Sequence, residues 1–110
     1  MNSGENWSSN LFNLGMSSYQ SGNYAHAVMM FSQTVRSNKD HWQARFYLAE
    51  SCLKARMYGE ASINFRDIVE GCPDADLRQR ASVALDELES TSVVNWLLQA
   101  LQSFKLSATA

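Results

Sequence analysis

"YAHAVMMF" at residues 24–31 returns thirty-four positions later as "YGEASINF" at residues 58–65. Each copy has a Tyr, an Ala three residues on and a Phe four beyond that. Laying residues 8–41 over residues 42–75 without a gap brings further identities into line: Phe12/Phe46, Leu14/Leu48, Ser17/Ser51, Val35/Val69 and Asp40/Asp74. Gly15/Ala49, Met29/Ile63 and Thr34/Ile68 agree in size or character. A fixed period of this length is how stacked structural repeats declare themselves, because each copy must offer its neighbour the same packing surface.

Within each copy the apolar spacing is helical. Leu11, Leu14, Gly15 and Ser18 make one stripe, and Tyr24, Ala27, Phe31, Thr34 and Val35 make the next. The second copy repeats this with Leu48, Ala49 and Cys52, then Tyr58, Ala61, Phe65, Ile68 and Val69. Each copy is therefore expected to be two antiparallel helices joined by a short turn, "SGN" at 21–23 and "ARM" at 55–57. Gly15 and Ala49 allow one helix to approach the next closely, Ala27 and Ala61 do so from the other side, and Phe31 and Phe65 fill the space between pairs. Asp40 with Gln43 reads as a capping box, and Asp74 after Pro73 as a second N-cap. Trp7 before Ser8 is placed to pack on Phe12 as a hydrophobic staple.

At these residues the chain resembles the tetratricopeptide repeat family. Leu14-Gly15, Gly22-Asn23-Tyr24, Ala27, Phe31 and Pro73 stand where the family's pattern wants them. The likeness covers two full repeats, 8–41 and 42–75, with a partial third whose first helix is 74–89. Three features depart from the pattern. Leu11 and Arg45 replace the usual Trp, Lys39 stands where the first repeat would carry Pro, and Arg56-Met57 replaces the Gly and Asn/Asp of the turn. If Arg56 must take a left-handed conformation, the turn loses about 1 kcal/mol or is shaped differently.

The expected fold class is all-α: a helical-hairpin solenoid of about six helices ending in an apolar helix. Residues 1–7 form a leader, 8–106 the single domain and 107–110 a tail. After residue 75 the stripe Leu77, Ala81, Ala84, Leu85 and Leu88 predicts a helix packed on the second repeat. A new helix is then expected from Ser90 or Thr91 over 91–106, with Val93, Trp96, Leu97, Ala100, Leu101 and Phe104 along one stripe. That last element is the most apolar of the chain, the opposite of a solubilising cap. It could pack as the second helix of a third repeat, bury itself against another copy or a partner protein, or lie on a membrane surface. The last is the weakest option, because the polar side is nearly uncharged rather than basic.

Composition narrows the function. The chain has 110 residues, enough for one domain, and 45% hydrophobic with 18% charged residues is a globular balance. A formal charge of −2 gives no basis for nucleic-acid binding. Charge is segregated: residues 36–56 hold Arg36, Lys39, Arg45, Lys54 and Arg56 against Asp40 and Glu50, whereas 57–90 are rich in acids. This could guide association, or it could be no more than solvated helix faces. No secretory signal or spanning run is read at the start, and Cys52 and Cys72 form no disulfide framework, so a reduced, cytoplasmic setting is expected. His26 and His41 have no companion at metal-ligand spacing. No Gly-rich phosphate loop or nucleophile motif is present. The expectation is a non-enzyme without cofactor or metal.

The resemblance also implies where a partner would sit. In this family the first helices line a concave groove that takes an extended peptide or a helix. Here those positions are Phe12, Asn13, Met16, Tyr19 and Gln20, then Gln43, Phe46, Tyr47, Glu50, Leu53 and Lys54. The family's carboxylate clamp of Lys, Asn and Arg would fall on Phe12, Met16, Tyr47, Leu77 and Ala81, which cannot form it. An apolar or aromatic groove suits a hydrophobic peptide or amphipathic helix. Equally, some of these aromatics could be covered by the chain's own ends. Met29, Met30 and Ile63 lie on the second helices, either as an outer contact surface or as half-buried packing. The expected function is a protein–protein scaffold or assembly adaptor. Alternatives are a homo-oligomer seamed through the last helix and a secretion-type chaperone shielding an aggregation-prone client.

Overall fold

The computed structural model describes residues 3–109, with side chains described over 7–91 and 95–104. Five helices follow one another: α1 (Ser3–Gln20), α2 (Tyr24–Ser37), α3 (Trp42–Lys54), α4 (Tyr58–Gly71) and α5 (Ala75–Thr109). All regular structure among the described residues is helical. Each helix packs on its chain neighbour, α1 on α2, α2 on α3, α3 on α4 and α4 on α5; α1 also touches α3, and α3 touches α5. Among the described residues α2 and α4 do not touch. Two rows result: α1, α3 and the start of α5 lie close together, while α2 and α4 splay apart behind them. A row that closes on one side and opens on the other is a curved solenoid, with α1, α3 and α5 on its inner side.

The repeat in sequence is a repeat in geometry. Ala27, Phe31 and Thr34 are the buried residues of α2, and Ala61, Phe65 and Ile68, each thirty-four positions on, are those of α4. The hydroxyl of buried Thr34 donates to the Met30 carbonyl at 2.9 Å, which lets a polar residue stand where the second copy has Ile68. Gly15 explains the closeness of α1 and α2: a Cβ there would lie 2.6 Å from Cε1 and 2.7 Å from Cδ1 of Phe31. The Phe31 ring stacks on Tyr47 of α3 with centroids 6.0 Å apart, and Phe65 meets Phe46 edge-on at 5.9 Å. The Phe31 contact bridges the first hairpin to the second, whereas the Phe65 contact with Phe46 lies within the second hairpin.

Both turns have the same form despite different residues. In the first, the Gly22 and Asn23 N–H groups donate to the Tyr19 and Ser18 carbonyls at 3.1 and 2.8 Å. In the second, Arg56 and Met57 donate to Leu53 and Cys52 at the same distances. Gly22 has φ +82° and Arg56 has φ +64°, so Arg56 adopts the left-handed conformation rather than reshaping the turn. Packing of the flanking helices on Ala61 and Phe65 overrides the local cost.

Several local expectations are corrected. α1 begins at Ser3, so residues 3–7 of the expected leader belong to the first helix. Trp7 lies inside that helix and is 58% exposed, so it does not act as a staple ahead of an N-cap at Ser8. The N-cap of α3 is His41 rather than Asp40: Nδ1 of His41 accepts from the Ala44 N–H at 3.1 Å, while the Asp40 N–H is turned to the Asn38 side chain. Asp74 does cap α5, accepting from the N–H groups of Asp76 and Leu77 at 2.9 and 3.3 Å. Leu14 is 52% exposed although its counterpart Leu48 is buried, since α3 has helices on two sides and α1 packs only on α2 and α3. Cys72, just past the end of α4, is buried.

The largest correction concerns the end of the chain. The two helices expected at 74–89 and 91–106 are one continuous helix, which reduces six helices to five. Ser90 and Thr91 are good capping types, but with no Gly or Pro near them nothing stops the i→i−4 ladder from running through. At 35 residues α5 is about 52 Å long, which accounts for the 71 Å long axis of the molecule.

Candidate inner groove and the exposed end of α5

The inner row carries an aromatic wall. Phe12 of α1 lies 5.8 Å from Phe31, 4.8 Å from the His41 ring and 6.4 Å from Tyr47. Tyr19, two turns further along α1, meets Tyr47 edge-on at 5.6 Å and Tyr24 at 5.7 Å. Phe12, Met16, Tyr19 and Tyr47 are half-buried: each rests on the core and leaves part of its surface open. Asn13, Gln20, Gln43 and Lys54 are exposed around them. Of the sequence-predicted groove residues, Phe12, Tyr19 and Tyr47 thus come together, whereas Leu53 lines a separate pocket with Tyr58, Ala84 and Leu88.

Phe46 differs from its counterpart Phe12. It is only 4% exposed, and the Arg80 guanidinium of α5 sits 4.6 Å over its ring. It is therefore floor rather than open lining, and the expectation that it meets a partner directly does not hold while Arg80 covers it. Around this pair α3 and α5 form a groove of about 570 Å³ bounded by Glu50, Asp76, Gln79, Val83 and Glu87. The α5 wall was missed in the sequence. Its signal was there: Asp76, Gln79, Arg80, Val83 and Glu87 share a helix side away from the packed stripe.

Electrostatics tie the two parts of the groove together. Burial pushes the Glu50 carboxyl above the usual carboxylate range; Lys54 and Arg80 pull it down, and Glu87 pushes it up. Burial also raises the Tyr19 phenol, with Glu50 the next cause. The polar end of the groove, Glu50 with Arg80, therefore lies beside the aromatic wall. His41 is lowered by burial, and its Nδ1 lone pair is already engaged as the cap of α3.

Elsewhere chemistry is sparse. Burial pushes the Cys52 thiol up to about 11, which leaves it protonated and unreactive at neutral pH. His26 is exposed, and its Nδ1 lies 2.6 Å from the Ser18 hydroxyl, a contact that ties α2 to α1. Among the described residues no three of His, Cys, Asp and Glu gather in a metal-binding arrangement. No helix there is long and apolar enough to cross a membrane. Met29 and Ile63 are exposed at equivalent positions on the outer helices.

The predicted seam residues follow a different course. Beyond Thr91 the helix leaves the body of the molecule, and Trp96, Leu97, Ala100, Leu101 and Phe104 are all exposed. The side chain of Val93 lies outside the described residues. This segment does not fold back as the second helix of a third repeat, so that one of the three options is overturned. Compared with protein-family models, curated proteins and solved structures, the chain has no match.

Proposed function

We propose that this protein is a non-catalytic recognition module of the tetratricopeptide type, a scaffold or assembly adaptor. Its inner groove takes an apolar peptide or one face of an amphipathic helix. One observation carries the reading: the half-buried ring and thioether surfaces of Phe12, Met16, Tyr19 and Tyr47 lie along the inner helices, and the Glu50 and Arg80 side chains stand at one end. Rigid aromatic side chains supply contact area at low entropic cost, and a polar end fixes orientation. A ligand with apolar side chains at i, i+3, i+4 and i+7 satisfies the wall. A chaperone for an aggregation-prone client would use the same surface and differs only in requiring that client for its own solubility.

The test is selection of helical peptides from a display library on the immobilised chain, followed by NMR mapping of the binders. Shifts are expected at Met16, Tyr19, Tyr47 and Glu50. Met16→Glu, at a half-open position, should weaken binding at least tenfold without changing helicity. Binders that instead shift Met29 and Ile63 on the outer helices, or that tolerate Met16→Glu, overturn the groove assignment.

A further inference from the structure

The two halves of α5 use opposite sides of the same helix. At about 100° per residue, Leu77, Ala81, Ala84 and Leu85 all lie within about 60° of Leu88 around the axis, and this side packs on the core. Past Thr91 the same side turns polar, with Asn95, Gln99, Gln102 and Ser103. Leu97, Leu101 and Phe104 lie about 160–220° from Leu88, and Trp96 and Leu98 flank them. Their exposure runs from 47% at Leu97 to 74% at Phe104. Among the described residues nothing covers this apolar stripe, which faces away from the packed side of α5.

We propose that this stripe is the seam of a homodimer, in which the C-terminal halves of two α5 helices pair about a twofold axis. Three observations select a second copy as the occupant. The five large side chains expose roughly 600 Å² per chain, so a self-pair that covered all of it would bury at most about 1,200 Å², the lower end of the range for specific interfaces. No charged residue occurs between Glu89 and Lys105, so a twofold pairing of the stripe sets no like charges against each other. The polar side is equally uncharged, whereas a helix built for an anionic membrane surface carries Lys or Arg there. The pairing is independent of the groove reading and leaves Tyr19 and Tyr47 unengaged.

Light scattering on the full chain tests it, read across about a hundredfold range of concentration. The expected mass is twice the 12.4 kDa of one chain. Leu101→Asp and Phe104→Asp are expected to raise the dissociation constant about a hundredfold or more at unchanged helicity, because each would bury a lone carboxylate. Gln99→Glu, on the polar side opposite Leu97, should leave the dimer intact. A monomeric wild type overturns the proposal, whether it is inert or floats with phosphatidylserine vesicles. So does a larger closed assembly, a dimer that survives Leu101→Asp, or one that dissociates with Gln99→Glu. Met16→Glu should leave the mass unchanged, so failure of the groove and failure of the seam are told apart.

Discussion

Replacing Gly15 by Ala tests the closest approach in the fold. The added Cβ would sit 2.6, 2.7 and 3.0 Å from three atoms of the Phe31 ring, against an optimum of about 3.5–4.0 Å for carbon pairs, so the ring must retreat by about 1 Å. It has nowhere to go, being fully buried with Phe12 and Tyr47 at 5.8 and 6.0 Å. Overpacking by a contact this short falls in the upper part of the usual range, about 2–3 kcal/mol, while the Ala gains about 1 kcal/mol of helix propensity, leaving a net loss of about 1–2 kcal/mol. Gly59 supplies the control: it lies near the start of α4 with nothing within 4 Å of its added Cβ, so Gly59→Ala should stabilise by about 0.5–1 kcal/mol. Urea unfolding followed by circular dichroism measures both, and the two midpoints should move in opposite directions at constant slope. Phe31→Leu in the Gly15→Ala background should recover part of the loss through coupling between the two sites. If Gly15→Ala stabilises as Gly59→Ala does, α1 and α2 are not in ring-to-backbone contact and the packing argument for the repeat is wrong.

Two further outcomes follow from the turns and caps. Arg56→Gly should stabilise by about 0.5–1 kcal/mol, because relief of the left-handed strain exceeds the added unfolded-state entropy of Gly; a thermal midpoint that falls would count against the strain. His41 caps α3 only while neutral, and its pKa lies below the ordinary 6.5, so the folded state takes up a proton less readily than the unfolded state. Its stabilising effect is therefore complete above about pH 6.5 and is lost as pH falls through 6.5 toward the lower folded value. His41→Asn, which can cap at any pH, should flatten that part of the urea-midpoint profile, and an unchanged profile would remove His41 from the explanation.

How much of this was open to inspection in the chain differs from residue to residue. Gly15 and Phe31 were legible because a missing side chain on one helix and a large ring on the next recur as Ala49 and Phe65, so size complementarity appears twice. The cap at His41 was not, since Asp40 is the better capping type by propensity and only the path of the loop turns its backbone toward Asn38. Arg45 shows the same limit. Where a Trp was wanted, its guanidinium lies 5.3 Å over Trp42 and 3.5 Å from Asp67, contacts that no spacing rule announces.

The thirty-four-residue period by itself determined the hairpin, the turn and the stacking of one copy on the next, because periodic burial within a helix and against its nearest neighbour is written in residue size and spacing. Tertiary structure alone decided which surfaces stay open. Phe12 is half-open and Phe46 closed because α5 lays Arg80 across only the second of them. The stripe at Leu97, Leu101 and Phe104 faces outward because α5 runs on unbroken, and its angle about the axis is then set by the side that Leu88 has already buried. A helix can be read one residue at a time, but the direction its far end faces depends on where its near end is anchored.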